Sequence, residues 1–187
     1  MALSREQYEY IDESILDTFE AAGIVSFPID VFDLCSKLRI SLKRYSNYPD
    51  LLKEFSDDAF RYYNPKKQEF IIFYNDSIES NRVNFSIMHE IGHIQLDHQK
   101  RPLTEEMQET EANTFAQKAL APMGVILKLG LKTDIQISSI FNISLPCARV
   151  ITSSLKYVIQ NPILRQKEIN NPLTFLFEEG INAYINK

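Results

Sequence analysis

The segment His89-Glu90-Ile91-Gly92-His93 constrains this chain more than any other feature. It lies in a stretch, roughly 81–97, where Val83, Ile87, Ile91 and Ile94 recur on one helical face and Phe85, Met88 and Leu96 cover much of the rest, which predicts a largely buried helix. Four residues are about 400° around a helix, so the two imidazoles share a face and can reach one metal ion, while Glu90 projects about 100° away. Two histidines and a glutamate are expensive in such a helix unless a metal and further hydrogen-bonding partners satisfy them. Gly92 adds to the case, because glycine inside a helix costs roughly 1 kcal/mol relative to alanine and points to a close approach at that position. The 3 histidines of the chain, at 89, 93 and 98, all fall in this one region. Zinc lowers the pKa of a water it holds to about 7, and a carboxylate at Glu90 is suited to be the general base that takes its proton.

A catalytic zinc takes three protein ligands and leaves a fourth position open. The next predicted helix opens at Thr104, begins with Glu105 and Glu106, and ends before Pro122. It carries Glu109 and Glu111, which are about 200° apart and cannot both face one metal. Glu109 shares its side with Ala112, Ala116 and Leu120, small enough in part to let the two helices approach, whereas Glu111 shares the bulkier, more polar side of Thr114, Phe115 and Lys118. Helical phase therefore favours Glu109. Asn113, one turn on, could accept the free N–H of a metal-bound histidine. His98 falls just past the helix end, where a solvent-facing capping role is the preferred reading over contact with substrate or an oxyanion.

The rest of the pattern is α+β. Tyr8, Ile11, Ile15, Leu16 and Phe19 mark an amphipathic helix from Ser4 to Ala22 with Gly23 as its stop, and a second helix is expected after Pro28 through Leu38. Residues 40–45 alternate like a short strand, and a polar stretch follows from Ser46 to Asp50. The segments 59–64 and 69–75, separated by a turn-forming NPKKQ, read as a hairpin, and Asp76 to Ser80 supply capping side chains for the HEIGH helix. Apolar helical segments follow Pro122, and one last helix is expected around 175–179. With 187 residues, one main core is expected, with a metallopeptidase domain at 1–125 and a helical C-terminal subdomain at 126–187. The net charge of −5 has the wrong sign for a protein that coats nucleic acid. Cys35 and Cys147 form no CxxC pair and are expected to be buried thiols of a reducing compartment. The charged N-terminus and the absence of an apolar run of about 18 residues predict a soluble, cytoplasmic protein that does not engage membranes.

The segments RVNFSIMHEIGHIQLDH and ETEANTFAQKALAP together resemble the ImmA/IrrE family of metallopeptidases, through Arg82, Phe85, His89 to His93, Glu109, Glu111, Ala112, Phe115, Ala116 and Pro122. The likeness covers about residues 25–125. It implies a zincin-like α+β fold with a small antiparallel sheet, an HExxH helix and a mostly helical C-terminal part. It also implies a gluzincin-like endopeptidase with Zn2+ on His89, His93 and Glu109 and with Glu90 catalytic. Members of this family cleave helix-turn-helix repressors of mobile elements, prophages or stress responses, so the implied partner is such a repressor. The strand EFIIFYN is the expected edge on which an extended peptide would pair.

A competing reading is a regulatory DNA- or protein-binding module with a structural zinc that antagonises a repressor without proteolysis. Its basis is residues 137–155, whose apolar–turn–apolar cadence resembles a helix-turn-helix. Arg149 and Lys156 make a thin phosphate-binding surface, which favours a helical part that packs on the peptidase and helps recruit substrate.

Overall fold

The computed structural model describes residues 2–48, 52 and 54–186. Helix α1 spans Arg5–Ala22, capped by a reciprocal Ser4–Gln7 box and closed by Gly23 in the left-handed conformation that glycine adopts without a Cβ clash. Ile11, Ile15 and Phe19 are fully buried, while Tyr8, expected on the same face, is 43% exposed. Helix α2 (Val31–Lys37) begins at an Asp30 cap and leads into strand β1 (Ser41–Arg44). Pro49 and Asp50, in the polar stretch that begins at Ser46, lie outside the described residues.

Strands β2 (Ala59–Asn64) and β3 (Glu69–Tyr74) form the expected antiparallel hairpin. The sheet order is β1-β3-β2, with β1 parallel to β3. Two sequence expectations change here. The sheet is mixed, not antiparallel throughout, because the chain returns from β1 through β2 before adding β3 beside β1. The strand 69–74 is central, so it cannot offer a free edge; the edge nearest the HEIGH helix belongs to β2.

Helix α3 (Ser80–Gln95) carries His89 and His93, and helix α4 (Glu105–Leu120) packs along it. The Cβ missing from Gly92 would stand 3.1 Å from Cβ, Cγ and Cδ1 of Phe115 on α4, so the expected close approach is to this ring. The side chains anticipated as caps for α3 are used otherwise: Asp76 accepts from the backbone and hydroxyl of Ser46, and Asn75 Oδ1 accepts from Ser77. Glu79 occupies the cap position without a side-chain hydrogen bond.

Six further helices follow among the described residues: α5 (Met123–Lys128), α6 (Asp134–Phe141), α7 (Leu145–Gln160), α8 (Pro162–Ile169), α9 (Pro172–Leu176) and α10 (Glu178–Ile185). Where one final helix was expected there are three, because Asn161 and Asn171 each cap a new helix opening with proline, and Phe177 interrupts the last stretch. One buried cluster runs from Ile11 and Phe19 through Ile87, Ile91 and Phe115 to Phe141, Leu173, Phe177 and Ile181. Cys35 is buried and Cys147 only partly so; burial pushes their thiols up to about 12 and about 11. No helix among the described residues is long and apolar enough to cross a membrane.

Candidate metal centre

Packing α3 against α4 brings His89, His93 and Glu109 together, with one ligand atom from each lying within 4.8 Å of the others. The Nε2 atoms of His89 and His93 are 3.0 Å apart. Glu109 Oε2 is 3.3 Å from the first and Oε1 is 3.1 Å from the second. Glu111 points elsewhere, as helical phase requires, and is fully buried on the far side of the histidines.

The positions of the ring protons decide what this cluster can hold. Asn113 Oδ1 lies 3.0 Å from His89 Nδ1 and can only accept, so Nδ1 carries a proton and Nε2 is the nitrogen that faces the cluster. The Glu111 carboxylate, 3.0 Å from His98 Nε2, likewise draws the proton of His98 to that nitrogen. Burial lowers the basicity of His98, keeping it neutral with a bare Nδ1. That nitrogen is 2.7 Å from His93 Nδ1, which must therefore donate, leaving Nε2 of His93 bare. Burial first, then Arg61 and His89, push His93 down to about 3, so it too is neutral near pH 7. Two ring nitrogens and a carboxylate thus face one another. Two imidazoles and one carboxylate converging in this way are a donor set that suits zinc.

Glu90 is 6% exposed, at the floor of a cleft of about 520 Å³ whose walls include Phe55, Phe60, Arg61, Phe85 and Glu109. Burial raises its carboxyl above the usual range, opposed by His89 and by Arg61, whose Nη1 is 3.1 Å from Glu90 Oε2. Arg61 comes from β2, the sheet edge along the cleft, and its Nε is buried without a hydrogen-bond partner. Sequence reasoning missed Arg61, since a single arginine in a strand has no spacing that ties it to a glutamate 29 residues on.

His98 also departs from expectation. It is 2% exposed and turned inward. Helix α3 ends at Gln95, Asp97 takes a φ of 50°, and the chain reverses so that the His98 N–H donates to His93 O at 3.2 Å. Without glycine at the left-handed position, this turn carried no clear sequence signal.

Residues 48–146 match the IrrE N-terminal-like domain of peptidase family M78, and the chain belongs to that family. The matched region begins later than the resemblance read from sequence and continues through α6. Among solved structures, a Mycobacterium tuberculosis transcriptional regulator is similar in fold, with a TM-score of 0.55 and 19% identity over 84% of this chain and 49% of that one. This chain therefore spans about half the length of that protein. No curated protein is significantly similar in sequence.

Proposed function

We propose that this protein is a zinc-dependent endopeptidase of the cytoplasm whose substrate is a helix-turn-helix repressor, with the metal on His89, His93 and Glu109. The observation that carries the reading is the convergence of two imidazoles and a carboxylate at an open cleft beside a buried glutamate. A structural zinc is enclosed by four protein ligands, so three donors at an open cleft favour catalysis over the structural-zinc alternative. When bound, zinc supplies a Lewis acid that polarises a peptide carbonyl and makes water easier to deprotonate. Glu90 takes the proton from the attacking water and passes it to the departing amine. Its raised basicity suits that shuttle. The Arg61 guanidinium pairs with Glu90 and keeps it oriented in the absence of substrate. An extended peptide can add to the free edge of β2, where Ala59, Phe60 and Arg61 border the cleft and Phe55 and Phe60 offer apolar contact.

Family membership supports the peptidase class, and the assignment of a repressor as substrate extends the family resemblance. Co-expression with the product of a neighbouring helix-turn-helix repressor gene, followed by mass spectrometry, tests both. The expected result is one or a few cuts that chelator and Glu90→Gln abolish. An intact repressor under derepressing conditions, or equal digestion of unrelated unfolded proteins, would contradict the substrate assignment.

A further inference from the structure

Behind the metal-facing nitrogens lies a second line of polar groups that the proposed chemistry does not use. His93 leads to His98 at 2.7 Å and His98 to Glu111 at 3.0 Å. Both oxygens of Glu111 are then held by Arg101, at 2.5 and 3.0 Å, and Gln7 of α1 donates to Oε1 at 2.8 Å. The side chains of His98 and Glu111 are both 0% exposed. The two metal-facing histidines are thus supported differently: His89 leans on the neutral amide of Asn113, and His93 on a histidine–carboxylate chain anchored from two other parts of the fold.

We propose that His98 and Glu111 are positioning residues that fix the orientation and tautomer of His93, and thereby set the affinity and geometry with which the centre holds its metal. The inference rests on the metal-centre reading above. Its chemistry follows from what each group can donate. A carboxylate accepts only, so Glu111 confines the proton of His98 to Nε2, and the bare Nδ1 of His98 confines the proton of His93 to Nδ1. Without Glu111, His98 is free to carry its proton on Nδ1. Two N–H groups would then oppose each other at 2.7 Å unless His93 moved its own proton to Nε2, where it would block the metal. Arg101 and Gln7 prevent the carboxylate from turning away from His98. Arg101 is itself seated over the Tyr10 ring, 4.7 Å from its centre, so α1 braces the arrangement at two points.

The test uses the full chain, stripped of metal by chelator and titrated with Co2+, and with Zn2+ in competition with a chromophoric chelator. The wild-type chain is expected to bind one Co2+ with the visible absorption of a low-symmetry, four- or five-coordinate site. His98→Leu should weaken Zn2+ binding by about 10- to 100-fold and alter the Co2+ band, the usual scale for losing a group that orients a ligand. His98→Gln, whose amide can accept from His93 and donate to Glu111, should restore affinity close to wild type. Glu111→Gln keeps the shape but can also present an N–H to His98, so it should weaken binding several-fold. A folded wild-type chain that binds neither ion would overturn the metal centre itself. Normal wild-type binding with unchanged affinity and spectrum in His98→Leu would overturn the positioning role alone. If circular dichroism finds His98→Leu unfolded, the comparison passes to Glu111→Gln, and identity with wild type in both readouts overturns the proposal.

Discussion

Glu109 and Glu111 are two residues apart and have opposite surroundings. The side chain of Glu109 is 50% exposed at the cleft mouth, and that of Glu111 is 0% exposed. Burial pushes the carboxyl of Glu111 up, but hydrogen bonds from Arg101, His98 and Gln7 prevail and hold it below the usual range, so it remains charged. Helical phase turns Glu111 away from the metal-facing side, and its carboxylate instead meets His98. Glu109→Ala should weaken zinc binding by removing a ligand, while leaving the thermal transition of the metal-free chain nearly unchanged. Glu90→Gln removes the proton acceptor and no ligand, so metal content should stay at one per chain while turnover falls by about 10²-fold or more. Elemental analysis beside a cleavage assay checks both; a fully active Glu90→Gln enzyme would remove the assigned role.

At the level of elements, the seam between α3 and α4 is set by Gly92. Alanine there gains up to about 1 kcal/mol in helix propensity. Its Cβ would press on the buried ring of Phe115, and overpacking of this kind costs about 1–3 kcal/mol. The ring is 0% exposed and cannot swing out, so Gly92→Ala should be net destabilising in urea denaturation and should also weaken zinc binding by parting the ligand-bearing helices. On α8, burial raises the Glu168 carboxyl, partly countered by Lys118, with Asp12 adding to the rise and Lys167 opposing it. A carboxyl with a raised folded-state pKa is best accommodated when protonated, so stability falls as pH rises from about 4.5 through the folded value. Glu168→Gln should accordingly raise the melting temperature at pH 7, and the gain should vanish below pH 4.5. A gain of the same size at both pH values would rule out the carboxylate as its cause.

The molecule as a whole closes its core with its last helices. Phe177 is fully buried, edge-on to Phe19 of α1 at 6.0 Å and near Phe27 at 6.1 Å. The division into a domain of 1–125 and a subdomain of 126–187 remains a proposal, since α1 and the C-terminal helices share packing. Phe177→Ala should cost about 3–5 kcal/mol, the range for an aromatic removed from a core. Calorimetry should find a single lowered transition. A second transition that keeps the wild-type temperature would show that the N-terminal part is stable by itself.

Local chemistry makes much of this legible in the sequence. The four-residue spacing of His89 and His93, the opposed phases of Glu109 and Glu111, the Asn113 contact and the hairpin all follow from helix and strand periods that act over a few residues. Which strand lies in the middle of the sheet does not follow from a period, because β1 joins β3 by a pairing between segments about 30 residues apart. Arg61 meets Glu90 across 29 residues, and Gln7 meets Glu111 across 104. His98 turns inward because Asp97 takes a left-handed conformation that the surrounding contacts sustain without glycine. The sequence by itself determined which residues can face a metal, since a helix sets that angle locally. Only the tertiary structure decided which charges stand behind them, because that depends on helices meeting over distances no local period encodes.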